Sequence, residues 1–523
     1  MSFLSQLLEY YHLTANDLGK RKMPGSFASL ENPFKNSDFL RVATRLEKAI
    51  ANGEKTVIYG DYDVDGITAT TIMKRVLDER GLNPGYFIPS RYKEGYGLNA
   101  DRVKEFALKG YKLIITVDNG VSCKDTVALS KQLGMEVVII DHHELPEELP
   151  ESEYLFHQTK SGFLPYNCSA ASLCFFVSSY LRKKYDAYDA VLAGLAVFSD
   201  VMPLVGNNLV MAKIMLSKLE ENKYPNLVRL LNGDISYHSI NFTLNPALNA
   251  PGRIAKDVLS TNHVVGFLLE NRNSERMVRF ASEIVRTNEM RKNIIKSMTF
   301  SYPVESEHAR VFLCDGYSGL SGSFANKLMR EKNCPTIVFA HSEQDEKELV
   351  GSIRVPDGYN ALSFIEKYKK YFIRHGGHPC AAGVTIQEKD YFQVATLFAS
   401  DCVMQSFTVH KEDKEIPLVL EDLNQENYEI YESFMPFGEG FEEPKFSLTV
   451  EKEDLVFSKN GNAVFSKDNG KGGRLCCFKD AALINNSMAS YFVFHGTMRK
   501  SSFNGKTNYE ILADEITYGE EDE

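Results

Sequence analysis

The 523-residue chain has no tryptophan, so stacking against a ring or base falls to its tyrosines and phenylalanines. Its nine cysteines are odd in number, scattered from Cys123 to Cys477, and nowhere spaced C-x-x-C. That excludes a disulfide frame and a zinc ribbon and leaves reduced core thiols. Basic charge is short as well. A formal net charge of −11 rules out coating nucleic acid through bulk positive charge, while a local basic groove stays open. No uncharged apolar run approaches the roughly 20 residues of a membrane span. The start carries Glu9 and Asp17 among its apolar residues and has no basic n-region, unlike a signal peptide. The expected location is the cytoplasm, with no membrane partner.

What is present is ordinary globular composition, 43% hydrophobic and 25% charged. At roughly 150 residues per domain the length predicts three to four units. From Glu54 to Asp200, β-branched runs (TVIY, KLIITV, EVVII) alternate with polar turns and helical stretches such as Thr68 to Arg80 and Lys124 to Leu133. This alternation predicts a parallel sheet covered by helices, with its chemistry at the carboxyl ends of the strands. Residues 273–300, free of Pro and Gly with apolar residues at three- and four-residue spacing, predict one long connecting helix. A smaller α/β unit follows, with strands near Ala309 to Cys314, Thr336 to Phe339 and Gly383 to Ile386. Beyond about Gln405, short strands and turns at Asn460-Gly461, Asn469-Gly470 and Asn504-Gly505 predict a small β-barrel or sandwich. The fold class is therefore α/β with a C-terminal β-barrel. The expected domains are 1–272 with an N-terminal helical segment, the helix 273–300, 301–404, and 405–523.

In VIYGDYDVDG a buried strand runs into Asp61, Asp63 and Asp65. If the chain stays extended, their period-2 spacing puts three carboxylates on one side. Such charges repel unless a cation or a proton intervenes. A calcium EF-hand also begins D-x-D-x-D-G, but its twelfth position here would be Ile72 where a bidentate Glu is required. KLIITV ends in Asp118, and EVVII ends in Asp141, His142 and His143. The apolar segment AGLAVFSD delivers Asp200, read as a fourth strand end. Carboxylates with an imidazole and no thiolate ask for hard divalent cations of the Mn²⁺ or Mg²⁺ type.

DYDVDG, the Asp118 of TVDNG, the DHH at Asp141 to His143 and Asp200 in FSDVMPL resemble the four motifs of the DHH phosphoesterase superfamily. RYKEGYGL (Arg91 to Leu98), NPALNAPGRI (Asn245 to Ile254), GSIR (Gly351 to Arg354) and HGGHPCAAG (His375 to Gly383) resemble motifs of its RecJ branch, whose members are 5′→3′ exonucleases specific for single-stranded DNA. The resemblance covers essentially the whole chain: a DHH catalytic domain, a linking helix, a DHHA1 domain and an OB-like nucleic-acid-binding domain introduced by PFGEG at Pro436 to Gly440. Where such proteins commonly read P-R-L-N-A-A-G-R, this chain has Ala247 and Pro251, and Phe441 replaces the usual Asn after PFGxG.

The resemblance implies a metal-dependent exonuclease that degrades single-stranded DNA to mononucleotides in repair and recombination. The alternative is a DHH/DHHA1 phosphodiesterase acting on short RNA or cyclic dinucleotides. It implies two divalent ions, Mn²⁺ or Mg²⁺, held by Asp63, Asp65, Asp118, His142 and Asp200. Asp61 stands near where other DHH branches place a ligating histidine. Asp141 would orient the imidazoles, and His143 would lie near the scissile phosphate. Arg91, Ser352 and Arg354 are the expected clamp for a terminal phosphate. Tyr96, Arg253, Gly376, Gly377 and His378 are further expected substrate contacts. His375, His378 and Cys380 lack a fourth nearby ligand for zinc. Expected partners are single-stranded DNA with a 5′ end and a single-strand-binding protein or helicase, the protein itself acting as a monomer. In the C-terminal domain the stacking candidates are Phe478, Tyr491, Phe492, Phe494, Phe503 and Tyr509.

Overall fold

The computed structural model describes residues 1–221, 224–231, 235–254, 259–356, 358–404, 414–467, 473–478, 481–503 and 506–518. The turns expected at Asn469-Gly470 and Asn504-Gly505 lie outside these residues, as does the boundary at 405. The chain divides into two compact units, one of residues 25–409 and one of residues 1–24 together with 410–523.

In the larger unit, β1 (Thr56–Tyr59), β2 (Gly85–Phe87), β3 (Leu113–Val117), β4 (Glu136–Ile140) and β5 (Tyr154–Phe156) form an all-parallel sheet of order β2-β1-β3-β4-β5. Their β-branched residues alternate between two cores: Ile58, Ile115, Val138 and Ile140 face one, while Val57, Ile114, Val137 and Ile139 face the other. Burial on both faces explains why the strands read as continuous apolar runs. The order reverses between β1 and β3, which opens a crevice at their carboxyl ends. The register pairs Tyr59 with Thr116 and Val117 with Ile140, so the loops bearing Asp61, Asp118 and Asp141 leave the sheet at one edge.

The segment AGLAVFSD is not a strand. It ends a buried helix, Ala187–Ser199, capped by Asp186 and terminating at Asp200. A helix buried on all sides is apolar all round, so over eight residues its pattern matches that of a buried strand. It packs with helices Val64–Glu79 and Ala170–Arg182. The connecting helix runs Glu275–Ser297, capped by Ser274. Beyond it β6 (Phe300–Glu305), β7 (Arg310–Cys314), β8 (Thr336–His341), β9 (Glu348–Arg354), β10 (Arg374–His378) and β11 (Ala381–Gln387) form a second sheet, of order β10-β11-β9-β8-β7-β6. GSIR and the glycines of HGGH thus lie on strands, β9 and β10, whose Gly-rich, half-polar texture hides a strand pattern.

The smaller unit holds one seven-stranded sheet: β12 (Glu415–Leu418), β13 (Lys445–Glu451), β14 (Leu455–Phe457), β15 (Val464–Ser466), β16 (Gly473–Cys477), β17 (Tyr491–Phe503) and β18 (Lys506–Tyr518), ordered β12-β13-β17-β18-β16-β15-β14. The N-terminal helices Phe3–Tyr10 and Ala15–Lys22 belong to this unit and not, as expected, to the catalytic domain. Phe441 is part of the reason. Its ring stacks on Tyr11 with centroids 4.2 Å apart, and the Arg21 guanidinium lies over it at 3.4 Å. Arg21 Nε also donates to the Phe434 carbonyl at 2.9 Å. Phe441, where the resemblance leads one to expect Asn, therefore supplies an apolar and cation–π anchor for the N-terminus.

Candidate metal centre and phosphate clamp

The helix Val64–Glu79 starts immediately after Asp63, which caps it by accepting from Gly66 N–H at 3.2 Å. Gly66 packs on the Asp61 backbone so closely that a Cβ would lie 2.5 Å from Asp61 N. This tight turn ends the extended geometry assumed for the three aspartates and separates them. Asp65 points toward the helix Ala170–Arg182, where Ala170 and Ala171 N–H groups donate to its two oxygens at 2.7 Å each. Asp61 and Asp63 stay on the strand-end side, grouped with Asp118.

His142 joins the two sides. Its Nε2 lies 3.1 Å from Asp118 Oδ1, 3.2 Å from Asp200 Oδ2 and 3.4 Å from Asp65 Oδ2. The ligand atoms of Asp65, His142 and Asp200 form one group within 4.8 Å, and those of Asp61, Asp63 and Asp118 form another. Asp118 belongs to the second and touches the first. It adopts φ 62°, a left-handed conformation uncommon for a non-glycine residue and typical of constrained functional sites. Asn119, which sequence reading passed over, holds the strand ends in place: its Nδ2 donates to the carbonyls of Val117 at 2.9 Å and Gly60 at 3.1 Å.

The electrostatics call for cations. Burial first, and then the neighbouring carboxylates, push Asp61 and Asp118 far above the ordinary range. Burial likewise pushes Asp65 and Asp200 up to about 7. Asp61 Oδ1 is buried with no hydrogen-bond partner among the described residues. An all-oxygen set with one imidazole, short of positive charge and with an orphaned acceptor, fits divalent metal ions. Burial, together with the charge of its neighbour, pulls His142 down to about 4, the neutral state a metal ligand needs.

Asp141 is fully buried and organises the histidines. Burial opposes its charge, yet the hydrogen bond and charge of His143 outweigh this and hold it below the ordinary range. Its Oδ1 lies 2.8 Å from His143 Nδ1 and accepts from His142 N–H at 2.8 Å, while Oδ2 accepts from Val121 N–H at 3.0 Å. His143 rises to about 9: burial opposes the rise, but the Asp141 hydrogen bond and charge overcome it. Tyr96, 44% exposed, sets its hydroxyl 3.1 Å from His143 Nδ1 and donates to the Asp118 carbonyl at 3.4 Å.

Three arginines stand beside the cluster. The Arg91 guanidinium lies over the Tyr62 ring at 4.9 Å and feels the Asp61 charge. Burial and the charges of Arg253 and Arg91 push Arg354 down to about 10, so the three guanidinia are mutual neighbours. Among the described residues none of them pairs with a carboxylate within 4 Å. Ser352 and Arg354 share one face of β9. Ser352 Oγ lies 2.8 Å from Ser321 Oγ, at the start of helix Ser321–Lys332, whose N-cap Leu320 supplies no side-chain cap. A Cβ on Gly322 would lie 3.0 Å from Arg354 Nη2. Unpaired cations at a helix N-terminus form an anion site. Gly376 aligns with Gly383, which aligns with Ser352. A Cβ at Gly376 would meet open space, whereas Gly377, at φ 134°, lies against Ala381 and Ala382. The side chain of His378 lies outside the described residues.

The raised carboxyls carry a pH prediction. A carboxyl raised by folding binds its proton more tightly in the native chain than in the unfolded one, so the metal-free protein loses stability as pH climbs from the ordinary 3.8 toward about 7. Metal binding displaces those protons. Between about pH 5.5 and 6.5 the apparent Mn²⁺ affinity should rise roughly tenfold per proton displaced. Calorimetry at the two pH values checks this, and equal affinities would show that the carboxyls are not protonated in the metal-free site.

Comparison with known proteins agrees with this geometry. Residues 55–197 match the DHH family, N-terminal domain, and residues 315–405 match the DHHA1 domain. The chain is similar to the single-stranded-DNA-specific exonuclease RecJ of Bacillus subtilis, 30% identical over 434 residues that cover 79% of this chain and 54% of the relative. It thus spans about half of that relative's length. It is similar to the RecJ exonuclease of Haemophilus influenzae, 26% identical over 489 residues that cover 84% of this chain and 82% of the relative. Its fold matches the crystal structure of RecJ in complex with Mn²⁺ from Thermus thermophilus, with a TM-score of 0.81 at 20% identity, covering 99% of this chain and 76% of the other. Two domain matches in this order, and sequence similarity reaching across both, mean that the chain carries a DHH domain followed by a DHHA1 domain and is similar across the two to RecJ exonucleases.

Proposed function

We propose that the protein is a metal-dependent exonuclease that hydrolyses single-stranded DNA from its 5′ end, releasing mononucleotides in repair and recombination. The observation that carries this reading is a metal-competent carboxylate and imidazole cluster set beside three arginines that have no carboxylate partner among the described residues. A phosphodiester fits between such groups, and a terminal phosphate accounts for the second anion site.

On this reading Asp65, His142 and Asp200 would hold one ion and Asp61 and Asp63 the other, with Asp118 available to both groups. Mn²⁺ is the favoured ion and Mg²⁺ the second choice, and two such ions would supply an activated water and neutralise charge on the leaving oxygen. Asp141 fixes the orientation of both imidazoles through its carboxylate. His143, kept protonated by Asp141, offers a positive hydrogen-bond donor to the phosphate, with Tyr96 steadying its ring. Arg253 neutralises the phosphodiester. Arg91, Ser352 and Arg354 hold the 5′ phosphate, and the open strip at Gly376 lets the strand approach the β10 backbone.

In the smaller unit Phe492 and Phe494 are fully buried, and Tyr509, nearly so, packs on Tyr428 at 5.5 Å, so all three are core. Phe478, 56% exposed, contacts Phe465, whose ring carries the Arg474 guanidinium at 5.1 Å. Tyr491 is half-buried, and the Phe503 side chain lies outside the described residues. Phe478 and Phe465 are the surface on which bases of a single strand would stack.

Short RNA and cyclic dinucleotides are the competing substrates. With Mn²⁺ present, 5′-phosphorylated single-stranded DNA should turn over at least tenfold faster than either. Faster cleavage of a cyclic dinucleotide, which has no end for the arginines to hold, would overturn the assignment.

A further inference from the structure

A cavity of about 200 Å³ opens beside the metal cluster, walled by Ser199, Asn241, Asn245, Arg253, Arg291 and Ser323. Ser199 directly precedes Asp200. Asn249, also on the wall, accepts from Val64 N–H at 3.0 Å and so ties the cavity to the turn that carries Asp63 and Asp65. Arg291 is contributed by the connecting helix and was not foreseen from sequence. Its Nε donates to Asn288 Oδ1 at 3.0 Å. Among the described residues the guanidinium has no carboxylate within 4 Å, and the same holds for Arg253, which also lines the cavity. The nearly buried Asn245 donates its Nδ2 to the Leu195 carbonyl at 3.2 Å, while Oδ1 has no partner among the described residues. Two guanidinia with no carboxylate partner among the described residues mark a site that a bound anion completes.

The rim adds a second feature. Residues Ile240–Leu244 form a π-helical turn, a geometry frequent at functional sites. Asn241 of this turn lines the cavity. The next residue, Phe242, is 72% exposed and stacks on His238 with centroids 6.2 Å apart. An exposed ring next to an anion cavity suits a nucleobase attached to the anion.

We propose that this cavity seats the internucleotide phosphate one step 3′ of the scissile one, held by Arg291 together with Arg253, with the attached base over Phe242. Arg253 then serves both anion sites, since its charge is felt by Arg354 and it feels that of Arg91, and it shares the cavity with Arg291. The proposal rests on the reading of the protein as a 5′ exonuclease and adds a strand-binding residue to it.

The test separates the two. A 5′-phosphorylated dithymidylate has only the scissile linkage, and the trithymidylate adds the next phosphate. With Ca²⁺ replacing the catalytic ion, calorimetry should show the trinucleotide binding the unaltered protein more tightly. Arg291→Gln should weaken trinucleotide binding roughly ten- to hundredfold while the dinucleotide binds as before, and Arg291→Lys should lose less. A trinucleotide whose second linkage is an uncharged methylphosphonate should behave toward the unaltered protein as the dinucleotide does. Equal losses for both lengths, or no loss for either, would overturn the subsite. Length-dependent binding lost in Arg291→Gln, combined with no cleavage by the unaltered protein in Mn²⁺, would uphold the subsite and sink the exonuclease reading instead.

Discussion

Asp118→Asn should lower strand cleavage by about a thousandfold or more while the protein stays folded, and His142→Ala should do the same. Asp118 belongs to one ligand group and touches the other, so on the proposed two-ion reading its charge would serve both, and the transition-state stabilisation such ions supply would be worth several kcal/mol at about 1.36 kcal/mol per tenfold. Asn is the informative replacement because it tolerates the left-handed conformation at φ 62°, whereas Ala would add backbone strain to the loss of charge. Removing a buried carboxylate that its neighbours already repel should leave the melting temperature of the metal-free protein equal or higher. Activity at saturating Mn²⁺ within tenfold of the unaltered protein would remove Asp118 from the metal centre.

Arg354→Ala should reduce the preference for a 5′-phosphorylated over a 5′-hydroxyl strand by roughly ten- to hundredfold. A hydrogen bond to a charged group contributes about 1.5–3 kcal/mol, and every 1.4 kcal/mol is tenfold. Arg354 is half-buried, and its Nη1 donates to the neighbouring Ile353 carbonyl at 2.8 Å, so on the proposed reading the substitution would remove a ligand contact more than a structural one. The measurement is the ratio of kcat/KM for the two strands. If the unaltered protein cuts both equally, Arg91, Ser352 and Arg354 hold something other than a terminal phosphate.

Much of the carboxylate and imidazole cluster was legible because strand ends are easy to read: an apolar β-branched run followed by Asp, as at Tyr59 to Asp61, Val117 to Asp118 and Ile140 to Asp141, fixes both element and edge. The route by which Asp65 and Asp200 arrive was not. Asp65 reaches the cluster because a helix begins at Val64, and only the contact of Gly66 with Asp61 reveals how sharp that turn is. Asp200 comes from a helix whose burial on every side erased the amphipathic period that would have identified it. Arg291 was invisible for a different reason. On a long helix a lone arginine reads as a solvated charge, and its place on a cavity wall with Arg253 is a property of three-dimensional neighbours. The placement of residues 1–24 was likewise hidden, since the Tyr11, Phe441 and Arg21 sandwich joins positions more than 400 residues apart.

The most direct test of the central claim is digestion of one single strand labelled at either its 5′ or its 3′ end, with Mn²⁺ and with EDTA. The account predicts that the 5′ label appears first, as a mononucleotide, that the 3′ label is released only as the strand is consumed, and that EDTA stops both without unfolding the protein. Early release of the 3′ label, or cleavage that persists in EDTA, would contradict it.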